Sequence, residues 1–291
     1  MVNVFMQPIA SAPMVRRLLQ EMNLSPNKLL GQNFLICEKT AQRIVQAAKI
    51  NKEDNVVEIG PGLGALSEHM AKSAGYLGLL EIDMRLHSHL YRLFADNKLV
   101  EVMQGDALSF DYILYAKNKC WEDYLLVANL PYSITTPLLQ YILLKGGPWR
   151  SLTLMMQKEF AYKLLPLSGK AAASPLALLM QYYGNINELF AVSKECFYPR
   201  PQVESIVIQI TRHKQALFAV KNEEQFTGFL KAAFSHRRKT LLNSLCISMG
   251  QDAAWWREVF NSCGLGENKR AEQLTLAEYV YLFTTYERQL I

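Results

Sequence analysis

Residues 55–74, NVVEIGPGLGALSEHMAKSA, limit the fold more than any other stretch of this chain. An apolar strand enters a turn with glycines at 60, 62 and 64, and the turn opens a helix. The same succession then recurs by type. YLGLLEID reads as a strand and MRLHSHLYRLFAD as a helix. KLVEVMQGDA and DYLLVANLPY are strands, ITTPLLQYILLKGG a helix and SLTLMMQ a strand. Residues 157–165 read as a helix, Pro175 to Tyr183 continue the apolar pattern, and Val203 to Ile210 alternate as a strand does. Strands alternating with helices predict a mainly parallel sheet covered on both faces, a doubly wound, Rossmann-like α/β domain.

Two helices precede this pattern: a short amphipathic one from Met14 to Met22, and one over residues 38–49 with Ala41, Ile44, Val45 and Ala48 at helical spacing. After Arg212 the strands stop. QFTGFLKAAFSHRRKTLLNSLCISM, DAAWWREVFNSCG and TLAEYVYLFTTYERQL all have helical period. The expected division is therefore an α/β domain over residues 1–212, with its N-terminal helical extension, and a small all-helical domain over 213–291. A chain of 291 residues is long enough for both.

The remaining bulk properties mostly exclude. Five cysteines at irregular spacing, without a CxxC pair, argue against a disulfide framework or zinc site and fit a reducing cytoplasm. His87 and His89 are the one close histidine pair, and i, i+2 spacing puts them on different helix faces, so no metal is expected. No apolar run approaches the ~18 residues of a membrane span, and no signal peptide is visible. A net charge of +5 is compatible with a polyanionic partner.

The strand ends carry the chemistry. The GxGxG turn allows close backbone approach by a ligand but differs from the GxGxxG dinucleotide fingerprint, which disfavours a nicotinamide oxidoreductase. Glu81 ends the second strand, placed to accept both hydroxyls of a ribose. Asp106 ends the third, where an adenine amine is a suitable donor, and Asn129 ends the fourth. Two carboxylates facing one crevice suit a nucleoside with a cationic centre, such as S-adenosylmethionine, better than one with a pyrophosphate.

The tetrapeptide Asn129-Leu130-Pro131-Tyr132 reads as the reacting end. Pro131 biases Leu130 to an extended conformation and has no N–H of its own. The Leu130 carbonyl and the Asn129 side-chain oxygen then offer two acceptors for the two protons of an exocyclic amine. So held, the nitrogen can rehybridise and aim a lone pair at a methyl group. Tyr132 supplies a face on which a flipped base stacks.

LGQNFL (30–35), VEIGPGLGALS (57–67), LEID (80–83), GDA (105–107), NLPYSITTPLL (129–139), QKE (157–159), QYY (181–183), FYPRPQVES (197–205), FSHRRKTLLNSL (234–245) and KRAEQLTLAEY near the C-terminus occur in the order seen in a known family. From about residue 14 to its end the chain resembles the ribosomal RNA adenine dimethyltransferases of the bacterial small-subunit type. The resemblance implies S-adenosylmethionine as methyl donor. It also implies, as acceptors, two adjacent adenosines in a loop near the 3′ end of small-subunit rRNA, presented as RNA or as a precursor particle. Cofactor contacts are implied at Gln32, Asn33, Leu35, Gly60, Gly62, Glu81, Asp106 and Asn129. Phe197 matches the position that closes on the target base beside Tyr132, although without the resemblance it reads equally well as a core aromatic. Ala173-Ser174 stand where the family usually has Tyr-Gly.

Arg237, Arg238 and Lys239 are expected together on a helix whose apolar partners are Leu230, Phe234, Leu241 and Leu245, either as phosphate contacts or as a solvated basic face. Arg16, Arg17 and Lys28 add positive charge near the N-terminus. The resulting reading is a monomeric cytoplasmic enzyme of small-subunit biogenesis that needs no metal. Two alternatives stand beside it: a large-subunit adenine methyltransferase of the macrolide-resistance type, and a non-catalytic subunit-assembly factor.

Overall fold

The structure, a computed structural model, describes residues 7–27, 30–131, 134–165 and 174–290. It groups into two compact units. The first takes the described residues of Met1–Ala161 and Asn187–Thr211. In chain order its elements are α1 (Ala12–Glu21), β1 (Phe34–Leu35), α2 (Glu38–Ala47), β2 (Asn55–Ile59), α3 (Ser67–Ser73), β3 (Tyr76–Glu81), α4 (Met84–Leu93), β4 (Val100–Gln104), α5 (Tyr112–Asn118), β5 (Tyr124–Asn129), α6 (Thr135–Lys145) and β6 (Trp149–Gln157). There follow along the chain α7 (Lys158–Tyr162), α8 (Pro175–Tyr183), which belongs to the second unit, and then β7 (Gly184–Val192), β8 (Phe197–Tyr198) and β9 (Ser205–Arg212).

The main sheet has the order β4-β3-β2-β5-β6-β9-β7. β2 pairs in parallel with β3 and β5, β3 with β4, and β5 with β6, whereas β9 runs antiparallel to β6. The chain builds outward from β2 in one direction and then returns to add β5 on its other side. Carboxyl ends of strands flanking such a reversal open a crevice. The sheet interior is mainly apolar: Val56, Val57, Leu79, Leu126, Val127, Leu152 and Leu154 are fully buried. Each such side chain contributes roughly 1.5–3 kcal/mol by leaving water.

The N-terminal segment covers the glycine-turn end of this sheet. Met14, Val15 and Leu19 are the buried face of α1. Val15 and Leu19 cluster with Phe34 of β1, Leu63 of the glycine turn and Leu86 of α4. β1 and β8 form a separate antiparallel ribbon in which Phe34 lies opposite Tyr198 and Leu35 opposite Phe197.

The second unit takes the described residues of Tyr162–Ile186 and Arg212–Ile291. Its helices are α8, α9 (Glu223–Phe234), α10 (Leu241–Met249), α11 (Ala253–Ser262) and α12 (Leu276–Gln289). Phe226, Phe229, Trp256, Phe260, Tyr279 and Phe283 form its aromatic interior. The Tyr183 phenol donates to Glu223 at the start of α9, and Thr275 with Glu278 makes a capping box that starts α12.

Four features differ from the sequence expectations. Residues 162–186 group with the helical unit, so the division at 212 misses this segment. The physical reason is α8, which is apolar nearly all round: Leu176 to Met180, Tyr182 and Tyr183 are all buried. The short helix α5 was hidden because Ile113 and Leu114 point outward at about half exposure, which spoils its period. β7 is hard to read because exposed Asn185, Asn187 and Glu188 interrupt its apolar residues at the sheet edge. Finally, Arg237, Arg238 and Lys239 do not lie on a helix. α9 ends at Phe234, where the Ser235 hydroxyl turns back to the Ala232 carbonyl at 2.8 Å, and Thr240 caps the start of α10. The three cations occupy the exposed turn between these helices, while Leu230, Leu241 and Leu245 are buried as expected.

Candidate active site

The crevice at the carboxyl ends of β2, β3 and β5 encloses about 800 Å³, including its open mouth. Its floor begins with the glycine turn. Gly60 (φ +65°) and Gly62 (φ +60°) adopt left-handed backbone that side chains resist, and a Cβ on Gly62 would meet the Phe34 ring at 3.4 Å. The turn is held by the Gly60 N–H, which donates to the Leu80 carbonyl at 3.0 Å.

Glu81 ends β3 and is 4% exposed. Its Oε2 accepts the Gly62 N–H at 3.1 Å and its Oε1 accepts the Asp83 N–H at 2.9 Å. Each oxygen keeps a lone pair for a further donor. Burial pushes its carboxyl up, opposed by these backbone bonds. Glu58, on β2, also lines the crevice and is 2% exposed. Burial raises its carboxyl to about 8, although the Ser67 hydroxyl donates to it, and the Glu81 charge adds to the rise. Glu58 was missed in the sequence. Its signal was an acid inside an apolar strand, VVEIG, where a charge is costly unless it serves something.

The loop before β1 forms one wall. Gln32 Nε2 donates to Asp83 Oδ2 at 3.1 Å, while its Oε1 accepts the Asn27 N–H at 2.8 Å. Asp83 in turn caps α4 through the Arg85 N–H at 3.0 Å. Despite its burial, those donors and the Arg85 charge hold the Asp83 carboxyl below the usual range. Asn129, at the end of β5, forms the opposite wall. Its Nδ2 donates to the Asn33 carbonyl at 3.4 Å, which leaves Oδ1 as an acceptor. The next peptide is pinned from behind, as the Leu130 N–H donates to the Met155 carbonyl at 2.9 Å. Among the described residues nothing donates to the Leu130 carbonyl. The Ile134 N–H and the Thr135 hydroxyl both donate to the Pro131 carbonyl.

Gln32, Asn33, Leu35, Gly60, Gly62, Glu81, Asn129 and Pro131 thus line one crevice, with Leu130 buried directly behind it. Asp106 is not among the lining residues. It is exposed one residue beyond Gly105, whose N–H donates to the Glu81 carbonyl at 3.0 Å, and its Oδ1 accepts the Leu108 N–H. Phe197 also lies off the lining. It is 3% exposed and packed in the main core with Leu35. Tyr132, Lys28 and Ala173 lie outside the described residues. Arg237, Arg238 and Lys239 belong to the helical unit. Among the described residues lining the crevice there is no lysine, arginine or histidine. Two buried carboxyls without a resident cation fit a cationic nucleoside and disfavour a polyphosphate.

The family model for "Ribosomal RNA adenine dimethylase" matches residues 23–288. The protein of Pelotomaculum thermopropionicum described as "Ribosomal RNA small subunit methyltransferase A" is 37% identical over 286 residues, covering 96% of this chain and 97% of that protein. A protein of the same description from Enterococcus faecalis is 35% identical over 285 residues, covering 96% and 97%. Among solved structures, a dimethyladenosine transferase from Plasmodium falciparum superposes with a TM-score of 0.72 at 23% identity, covering 88% of this chain and 98% of that one. The 23S rRNA methyltransferase ErmE superposes at 0.66 and 23% identity, covering 88% and 100%. These two structures share the fold of this chain.

Proposed function

The chain belongs to the ribosomal RNA adenine dimethylase family, and from that premise we infer that it dimethylates N6 of two adjacent adenosines in a loop near the 3′ end of small-subunit rRNA. S-adenosylmethionine, when bound, supplies an electrophilic methyl group on a sulfonium.

The observation that carries the reading is the pairing of two environments in one crevice. Glu58 and Glu81 line it as buried carboxyls and Asn129 as an amide whose Oδ1 is left to accept, and the Leu130 carbonyl, to which no described residue donates, is read as the second acceptor. Glu81 holds the ribose through its free lone pairs, and Gly62 lets the ligand approach the backbone. Asp106, at the exposed edge beyond Glu81, accepts from the adenine amine of the cofactor. Asn129 Oδ1 and the Leu130 carbonyl would accept hydrogen bonds from the two N–H groups of the target amine, so that its lone pair leaves the ring's conjugation and aims along the methyl–sulfur axis. This interaction strengthens as the nitrogen becomes tetrahedral, which makes it a transition-state contact. The bond from nitrogen to the methyl carbon forms as the methyl–sulfur bond breaks to a neutral thioether, and the excess proton of the methylated nitrogen passes to water. Tyr132 and Phe197 are the stacking partners for the flipped base. Phe197 is buried in the main core, so its part in base capture is the weaker of the two.

The transfer asks for positioning and two acceptors, and no step calls for a metal. Among the described residues no helix is long and apolar enough to cross a membrane. A monomer acting in the cytoplasm on rRNA or on a precursor particle is part of the same reading. A non-catalytic assembly factor has no need of the Asn129–Leu130 acceptor pair. A large-subunit specificity is disfavoured by the FSHRRKTLLNSL segment and by the small-subunit description of the full-length relatives. The deciding experiment is incubation with labelled S-adenosylmethionine and undermethylated small subunits, followed by mapping of the modified nucleosides. Label in N6,N6-dimethyladenosine at two adjacent positions is expected, and label confined to large-subunit RNA overturns the reading.

A further inference from the structure

A second pocket, of about 630 Å³, lies against the carboxyl end of α1 and the ring of Tyr198. We propose that it holds the nucleotide next to the adenosine being methylated, with Tyr198 and Arg16 as its stacking walls. This rests on the reading that the substrate is rRNA with two adjacent target adenosines.

Two consecutive arginines on α1 are used differently. Arg17 is spent on Glu21, at 3.4 Å. Arg16 makes no ion pair among the described residues, and its guanidinium sits over the Tyr198 ring, 5.5 Å from the centroid. A guanidinium plane and an aromatic ring are the two surfaces on which unstacked RNA bases come to rest. Among the described residues no carboxylate lines this pocket, in contrast to the crevice with Glu58 and Glu81. One space therefore suits a cation and the other an anionic chain.

The polar groups of the pocket are available. The last carbonyls of α1, from Leu18, Leu19 and Gln20, are already closed by the N–H groups of Met22, Leu24 and Asn23. The side chains of Gln20, Asn23 and Ser25 line the pocket and make no hydrogen bond among the described residues. Amides can pair with a base edge and the guanidinium with a phosphate.

The location relative to the crevice gives the pocket its meaning. Tyr198 directly follows Phe197 on β8 and stands opposite Phe34 on β1. Directly opposite residues of an antiparallel pair share a face, so Phe34 and Tyr198 stand side by side on one face of the β1–β8 ribbon and pack in the same cluster, while Leu35 and Phe197 face the main core. Phe34 lines the crevice and its neighbour Tyr198 lines the pocket, so the two spaces adjoin through one cross-strand pair, the relation that consecutive nucleotides of a single strand require.

The test measures methylation of undermethylated small subunits at saturating S-adenosylmethionine. Tyr198→Ala should raise KM for the particle about tenfold, with cofactor affinity unchanged by calorimetry, and Tyr198→Phe should stay near wild type. Arg16→Ala should make the salt dependence of particle binding shallower by about one unit of log–log slope. Gln20→Glu changes one exposed side chain, leaves the fold alone, and should weaken particle binding several-fold at low salt by placing a carboxylate in the pocket. If Tyr198→Ala fails to fold, Gln20→Glu and Arg16→Ala decide. Particle KM and salt slope equal to wild type in those two variants overturn the pocket while leaving the crevice reading intact. A wild-type protein that methylates no adenine overturns the reading and the pocket with it.

Discussion

Asn129 donates its side-chain amide to the backbone carbonyl of Asn33 at 3.4 Å, joining the end of β5 to the loop that precedes β1. The bond is long, so its value is orientation: it commits the amide nitrogen and leaves the oxygen to accept. Asn129→Ala should therefore lower turnover by about tenfold or more, at roughly 1.5–3 kcal/mol for a transition-state hydrogen bond, with a smaller loss of cofactor affinity. Single-turnover methylation with RNA saturating measures this, and an unchanged rate removes Asn129 from the acceptor pair.

Glu81 supports the glycine turn as well as the ligand, since its two oxygens accept from Gly62 and Asp83. Glu81→Ala should weaken S-adenosylmethionine about tenfold to a hundredfold and also lower the melting temperature, because buried backbone donors lose their acceptor. Glu81→Gln, which retains one acceptor oxygen, should lie between. Calorimetry and thermal melts on the same preparations separate the two effects.

Glu58 makes both stability and cofactor binding pH-dependent. Its folded-state value of about 8 stands above its ordinary 4.5. The folded state therefore binds more protons between these limits, and the stability that protonation preserves below pH 4.5 is lost as pH rises through 8. Glu58→Gln removes this loss and should be more stable than wild type by roughly 3 kcal/mol at pH 7, with the difference vanishing near pH 4.5. A cationic ligand favours the ionised carboxyl, so binding S-adenosylmethionine to the wild type near neutral pH should release a proton. Titrations in buffers of different ionisation enthalpy should differ in apparent heat for the wild type and coincide for Glu58→Gln.

The glycine turn permits a paired comparison. A Cβ on Gly60 meets nothing within 4 Å, whereas one on Gly62 meets Phe34 at 3.4 Å. Gly60→Ala should cost only the left-handed backbone strain, about 1–2 kcal/mol by denaturant melts. Gly62→Ala should carry the same strain and in addition weaken the cofactor, because Phe34 and the new methyl group share the crevice wall. Equal cofactor affinities would show that Phe34 moves aside freely.

Arg237 and Arg238 are exposed in the turn between α9 and α10 and make no ion pair among the described residues. Replacing both with alanine should leave the melting temperature and cofactor affinity unchanged. The slope of log affinity for the small subunit against log salt should become shallower by up to about two units, one per phosphate contact. A lowered melting temperature with an unchanged slope would identify the turn as structural.

The main sheet and the crevice lining were legible in the sequence because they obey local rules. Runs such as LLVAN and YLGLLE are too apolar to sit anywhere but inside a covered sheet, and a turn needing left-handed backbone must use glycine. Strand-end residues converge in any sheet of this winding, so Glu81 and Asn129 could be placed together before their contacts were known. Tertiary structure alone decided the rest. Glu58 titrates near 8 because three dimensions remove it from water, which no spacing reveals. Phe197 sits in the core because β8 pairs with β1, a contact spanning some 160 residues of chain. Arg237 to Lys239 left the helix because Ser235 and Thr240, polar residues that compete for backbone partners, outweighed a period that ran on without interruption. Segment 162–186 joined the helical unit because an all-round apolar helix must be buried, and the sequence does not say against what.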